Sequence, residues 1–150
     1  MSSDYKDLVM GIRESGDFNR LVNTIPYAGF IGMECQKTED NVVFLLPANK
    51  QNIGNPLIPA LHGGVMGAFM EMSAAFQLIL FMDEPRLPKI IDFSLDYLHA
   101  GLLKDTWAAC EVCRQGSRVA NVAITAWQDD KNAPIAIARA HFRLAETVQD

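Results

Sequence analysis

One ionisable side chain, Glu71, stands near the middle of ALHGGVMGAFMEMSAAFQLILFM, residues 60–82, the most apolar run of the chain. A carboxylate in apolar surroundings is costly as an anion, and acids with a displaced pKa concentrate where a proton or a nucleophile is needed. Gly63, eight residues before it, is followed by Gly64 and preceded by His62, at what reads as the start of a helix. Glycines at that place leave backbone N–H groups uncovered at the positive end of the helix dipole, where a developing oxyanion is stabilised. Together these residue types supply both halves of carbonyl chemistry. One group attacks directly or activates water, and the other holds the oxygen.

Along one helix the Gly63 to Glu71 interval rises about 12 Å, and a glutamate side chain cannot close that gap to the roughly 3 Å that attack requires. A site using both must draw them from two copies of the chain. His62 is the lesser catalytic candidate, since no second acid or metal ligand lies at ligand spacing around it, and a structural hydrogen bond is its plainer role. The plainer readings of the others are an acid bonded to a loop, and glycines that permit a tight turn and close packing.

The elements that hold these residues follow from the rest of the sequence. A chain of 150 residues with 49% hydrophobic and 21% charged residues makes one globular domain with a real core. Its formal charge of -5 argues against a general nucleic-acid binder, which needs clustered Lys and Arg. The first residues, MSSDYKDLVMGIRESGD, carry acids and no long apolar stretch, so no secretory signal is expected and the cytoplasm is the expected compartment. Cys110 and Cys113 form a C-x-x-C within TWAACEVCR. Strand alternation sends them to opposite faces, so buried thiols are expected there instead of a redox pair or a metal site.

Residues 4–24 have loosely helical apolar spacing and predict an amphipathic N-terminal helix, set apart from a second segment over 25–150. Residues 30–39 and 41–47 read as a strand hairpin turning at Glu39-Asp40-Asn41, and 49–60 as a loop. Asp83-Glu84-Pro85 stops the apolar helix, and strands follow over about 88–99, 105–115, 118–128 and 133–145. The apolar helix is long enough to cross a bilayer. Glu71 near its centre and acids at its end argue against a span and for a helix apolar all round because protein surrounds it. An α+β domain results, with a curved antiparallel sheet wrapped around one central helix.

His62-Gly63-Gly64-Val65 with an acid nine residues after the histidine, then an apolar helix and a long meander, resembles the PaaI-like hotdog-fold acyl-CoA thioesterases. The resemblance covers roughly residues 25–145 and includes DFSLDYLHAG and RQGSRVANVAITAW. It implies a homodimer, or a dimer of dimers, whose sheets join side by side with two active sites at the dimer interface. It also implies an acyl-CoA substrate, no separate cofactor and no metal, with Glu71 as base or nucleophile and the Gly63/Gly64 helix start as the oxyanion site. An amide near Asn55 positions water or the carbonyl in that family, and the loop NIGNPLIPAL equally allows Asn52. Some relatives have a hydroxyl residue one turn after the acid, where this chain has Ala75, with Ser73 on another face.

Coenzyme A is a polyanion, so an acidic protein binding it needs a local basic patch. Arg114 and Arg118 bracket the turn RQGSR and are the candidates. Phe69, Met70 and Ala74 on the helix and Tyr97 and Leu98 on the following strand are the candidates for the acyl pocket. Two alternatives stay open: a hotdog protein that binds acyl-CoA without turnover, and a hotdog dehydratase, whose upstream histidine this chain lacks.

Overall fold

Gly63–Phe81 forms one helix, α4, in the computed structural model, which describes residues 3–145. Residues 1–2 and 146–150, the outer ends of the two predicted segments, lie outside the described residues. In chain order the elements before α4 are α1 (Ser3–Ser15), α2 (Asn19–Val22), α3 (Pro26–Ile31), β1 (Glu34–Lys37), β2 (Val42–Leu46), a 3-10 turn Lys50–Asn52, β3 (Ile53–Asn55) and β4 (Ala60–Leu61). After it come β5 (Pro88–Tyr97), β6 (Thr106–Gln115), β7 (Val119–Trp127) and β8 (Ala136–Leu144). Six strands make one antiparallel sheet in the order β1-β2-β6-β7-β8-β5, and β3 and β4 form a separate small ladder. The sheet curves around α4 in the hotdog arrangement, with the N-terminal helices added.

The strands alternate as a sheet covered on one face must. Along β7, Ala120, Val122, Ile124 and Ala126 are buried under α4, while Asn121, Ala123 and Thr125 occupy the opposite face. Phe69, Met70 and Leu78 of α4 meet a core that includes Phe44 and Phe142, all nearly without solvent contact. Each such side chain contributes roughly 1.5–3 kcal/mol through the apolar surface it removes from water. α4 is the one described helix long and apolar enough to cross a membrane, and here it is the core helix.

The N-terminal region differs from the single helix predicted over 4–24. Gly16, at φ 73°, ends α1, and the chain re-enters helix at α2. A left-handed residue after the last turn is the usual helix stop and favours glycine. The predicted strand from Phe30 is likewise shortened, because Pro26 opens α3 and Gly32, at φ 84°, closes it before β1 begins. Arg13 of α1 donates from Nη2 to the Ile79 and Met82 carbonyls, both at 2.6 Å, and so satisfies acceptors at the C-terminal end of α4.

The cysteine expectation holds only in part. Cys110 is half-buried against the core, and desolvation pushes its thiol pKa up, whereas Cys113, at the register shift in β6, is exposed. Cys35 is buried, which pushes its thiol up to about 12.

Candidate active site

The N-terminus of α4 is held by two side chains from different parts of the fold. His62 caps it with extended backbone, and its Nδ1 accepts the Gly64 N–H at 2.9 Å. An accepting Nδ1 carries no proton, so the neutral ring has its hydrogen on Nε2. Tyr97, at the end of β5, donates its hydroxyl to the Gly63 carbonyl at 2.6 Å. The Gly63 carbonyl and the Gly64 N–H belong to the same peptide group, which is therefore held at both ends. The Gly63 N–H lies in the preceding peptide, and among the described residues it has no acceptor.

Space, not an unusual backbone, explains the glycines. A Cβ on Gly63 would stand 3.0 Å from the Tyr97 hydroxyl oxygen, and one on Gly64 3.0 Å from the His62 ring. A Cβ on Gly54 would stand 2.8 Å from the His62 Cα. Among the described residues only Gly16 and Gly32 have positive φ, so neither helix-start glycine serves a left-handed turn.

Two turns along α4, Glu71 shares a half-buried face with Ala68, Met72 and Ala75, away from the buried Phe69, Met70, Ser73 and Ala74. Such i, i+3, i+4, i+7 spacing puts four residues on one side of a helix. Glu71 has no salt bridge among the described residues, and partial burial raises its carboxyl pKa because desolvation disfavours the anion. Gly67, midway between Gly63 and Glu71, faces β5: a Cβ there would meet Leu95 at 3.7 Å and Phe93 at 3.8 Å. With Gly63 against Tyr97, this shows that α4 runs antiparallel to β5.

Beside Gly63 lies a hollow of about 270 Å³, lined by Gly63, Met66, Tyr97, Leu98 and His99 among others. Tyr97 and Leu98 were anticipated from the sequence and His99 was not, although it directly follows them in LHAG. Asn55 is exposed and its Oδ1 accepts the Leu57 N–H at 3.1 Å. Asn52 is buried and donates from Nδ2 to the Ile31 carbonyl at 2.9 Å, which ties it to α3. An unoccupied backbone donor, a desolvated acid and an open hollow are what an acyl-transfer site requires.

Comparison with known proteins agrees. The sequence profile of the acyl-CoA thioesterase N-terminal domain matches residues 55–143, which hold the helix start, Glu71 and β5–β7. This chain belongs to the acyl-CoA thioesterase family. A Chromobacterium violaceum protein of known crystal structure is 39% identical to it, covering 93% of this chain and 98% of that one at a TM-score of 0.77. The fold is also that of the E. coli PaaI protein from the phenylacetic acid degradation operon, at 15% identity, 89% and 94% coverage and a TM-score of 0.74. A Haemophilus influenzae thioesterase shares it at 16% identity, 83% and 87% coverage and a TM-score of 0.72. No curated protein matches in sequence.

Against this thioesterase framework the remaining predicted residues divide. Phe69, Met70 and Ala74 have no exposed surface and pack in the protomer's core, so the structure does not bring them to the hollow. Ser73 is equally buried and donates to the Phe69 carbonyl at 2.7 Å. Arg114 and Arg118 are brought together: with Ser117, Asn121 and His141 they line a hollow of about 500 Å³. Asn121 and His141 place that hollow on the sheet face opposite α4, where cross-strand register aligns Arg114, Asn121, His141 and Asp92. His141 Nδ1 lies 2.6 Å from Asp92 Oδ1. Among the described residues no three His, Cys, Asp or Glu side chains are grouped to hold a metal ion.

Proposed function

We propose that this chain hydrolyses acyl-CoA thioesters at a site shared by two copies. The substrate carbonyl enters the hollow beside Gly63 of one protomer, whose N–H receives the oxygen as it becomes an oxyanion. Glu71 of the other protomer either takes a proton from an attacking water, so that the free acid forms as the CoA thiolate leaves and is protonated, or attacks the carbonyl carbon itself, expelling the thiolate to give a mixed anhydride that water then hydrolyses. The observation that carries this reading is the state of the two groups. Among the described residues the Gly63 N–H has no acceptor where its Gly64 neighbour has one, and Glu71 is partly desolvated without a salt-bridge partner.

Two further features support a paired assembly. β5 is an edge strand of ten residues with Ile90, Ile91 and Tyr97 exposed, and Leu98 just beyond it is exposed as well. An uncovered edge of that length invites pairing with another strand. The arginine hollow also lies at the Asp92 level of β5, five residues or about 17 Å from Tyr97. It therefore sits toward the Glu71 end of the protomer and away from its own Gly63. An arrangement that brings Gly63 of one copy to Glu71 of the other brings the carbonyl site toward the second copy's arginines as well, where the CoA phosphates bind in this reading.

The test is hydrolysis of a panel of short, medium, long and aromatic acyl-CoAs, followed by release of free thiol, in the wild-type protein and in Glu71→Gln. Turnover in the first and its loss in the second is the expected result. Binding of the panel without release of thiol by the wild-type protein would replace hydrolysis by an acyl-CoA-binding role.

A further inference from the structure

We propose that Tyr97 is a positioning residue for the oxyanion donor: by holding the Gly63 carbonyl it fixes the first peptide of α4 and keeps the Gly63 N–H turned toward the substrate hollow. Its catalytic consequence rests on the thioesterase reading above. A Gly-Gly pair is the most mobile dipeptide a chain can place at a helix start. A donor that stabilises a transition state must already be in place when charge develops. The chain puts its most mobile dipeptide where rigidity matters most, and the two hydrogen bonds on the Gly63–Gly64 peptide offset that mobility.

The two bonds are not equivalent. His62 adjoins the glycines, so its bond to the Gly64 N–H at 2.9 Å moves with the helix start. Tyr97 is 34 residues away on β5, and its 2.6 Å bond ties the helix start to the sheet. Only the second fixes Gly63 relative to the walls of the hollow, of which Tyr97 is itself one. The hydroxyl also stands 3.0 Å from where a Cβ on residue 63 would be, so the tyrosine that restrains the peptide is what requires glycine there.

Tyr97→Phe tests this, because it keeps the ring and removes the hydroxyl alone. Amide exchange at Gly64, whose N–H is bonded to His62, is expected to quicken several-fold, while amides in the middle of β7 keep their wild-type rates. For acyl-CoA hydrolysis, kcat is expected to fall about five-fold, the scale of one neutral hydrogen bond, with KM within about two-fold because the interaction is made with the protein and not the substrate. Gly63→Ala places a methyl against the hydroxyl and lowers stability, and adding Tyr97→Phe to it restores part of the loss. Unchanged exchange at Gly64 in Tyr97→Phe overturns the proposal whatever the activity. Quickened exchange with unaltered kcat overturns its catalytic half. If the wild-type protein hydrolyses no acyl-CoA, the thioesterase reading fails by itself, and the exchange rates still decide whether Tyr97 fixes the peptide.

Discussion

His62 Nδ1 accepts the Gly64 N–H at 2.9 Å, so of the two glycine amides at the start of α4 one is engaged, while that of Gly63 has no acceptor among the described residues. The histidine that looks like a base beside the site acts as a helix cap. His62→Ala is expected to lower unfolding free energy by about 0.5–2 kcal/mol, the usual cost of losing a side-chain cap, and His62→Asn to recover most of it. Denaturant midpoints measure the difference. Equal loss of kcat in a fully stable His62→Asn protein would show that the ring does more than cap.

Glu71→Gln keeps the volume and hydrogen-bonding capacity of the side chain while removing its charge. A fall in kcat of about 10²- to 10⁴-fold is expected, the range for loss of a general base. Because burial raises the Glu71 pKa, the acid limb of wild-type kcat/KM should lie above the ordinary carboxylate range. The sign for stability follows from the same shift. A raised folded-state pKa favours the protonated form, so its contribution is full below the unfolded value and is lost as pH rises through the folded one. Glu71→Gln should therefore be more stable than wild type at neutral pH, with the gap closing on acidification. Thermal melts across that range check it.

If each site takes Gly63 from one copy and Glu71 from the other, two inactive variants can repair each other: Glu71→Gln lacks the acid, and the methyl of Gly63→Ala, set 3.0 Å from the Tyr97 hydroxyl oxygen, displaces the backbone donor. Gly63→Ala and Glu71→Gln, unfolded and refolded together in equal amounts, should regain about a quarter of wild-type activity. Half of the dimers are then mixed, and each mixed dimer has one intact site of two. Mixtures no more active than their components would place both groups in one protomer or remove one of them from the chemistry.

Arg114→Ala with Arg118→Ala should raise KM for acyl-CoA, with little effect on an acyl thioester that lacks the nucleotide. The two side chains share one hollow on the sheet face remote from α4, so they can act on binding without touching the reacting carbon. Equal KM changes for both substrates would locate the phosphates elsewhere.

Much of the fold was legible because its signals are local. The hairpin turns, the stop after α4 and the period-2 alternation of β6 and β7 are each written within a few residues. Glu71 stood out as the one acid of an apolar run. What the sequence concealed depends on facing. α4 is apolar nearly all round, so nothing in its pattern tells which of Phe69, Met70 and Ala74 turns to the sheet, and they turn out to be core. The bond from Tyr97 to Gly63 was hidden for a different reason: no spacing rule joins a strand end to a helix start 34 residues away. α3 was legible in principle from Pro26 and Gly32, but the apolar stretch beginning at Phe30 outweighed them.

The antiparallel course of α4 along β5 acts as a ruler for how two copies meet. A two-fold axis brings Gly63 of one copy beside Glu71 of the other only if it passes near the midpoint between them, which is Gly67. Gly67 rests on Leu95 and Phe93, so the axis crosses β5 at about Ser94, and two β5 strands paired edge to edge must do so in that register. Ser94 of one copy would then face Ser94 of the other, with Cα atoms about 4.5–5.5 Å apart, a spacing that a disulfide spans, so Ser94→Cys should crosslink across the axis under mild oxidation. A dimer crosslinked in that way, still active, would make the distance between a glycine and a glutamate on one helix the quantity that sets the registry of the whole assembly.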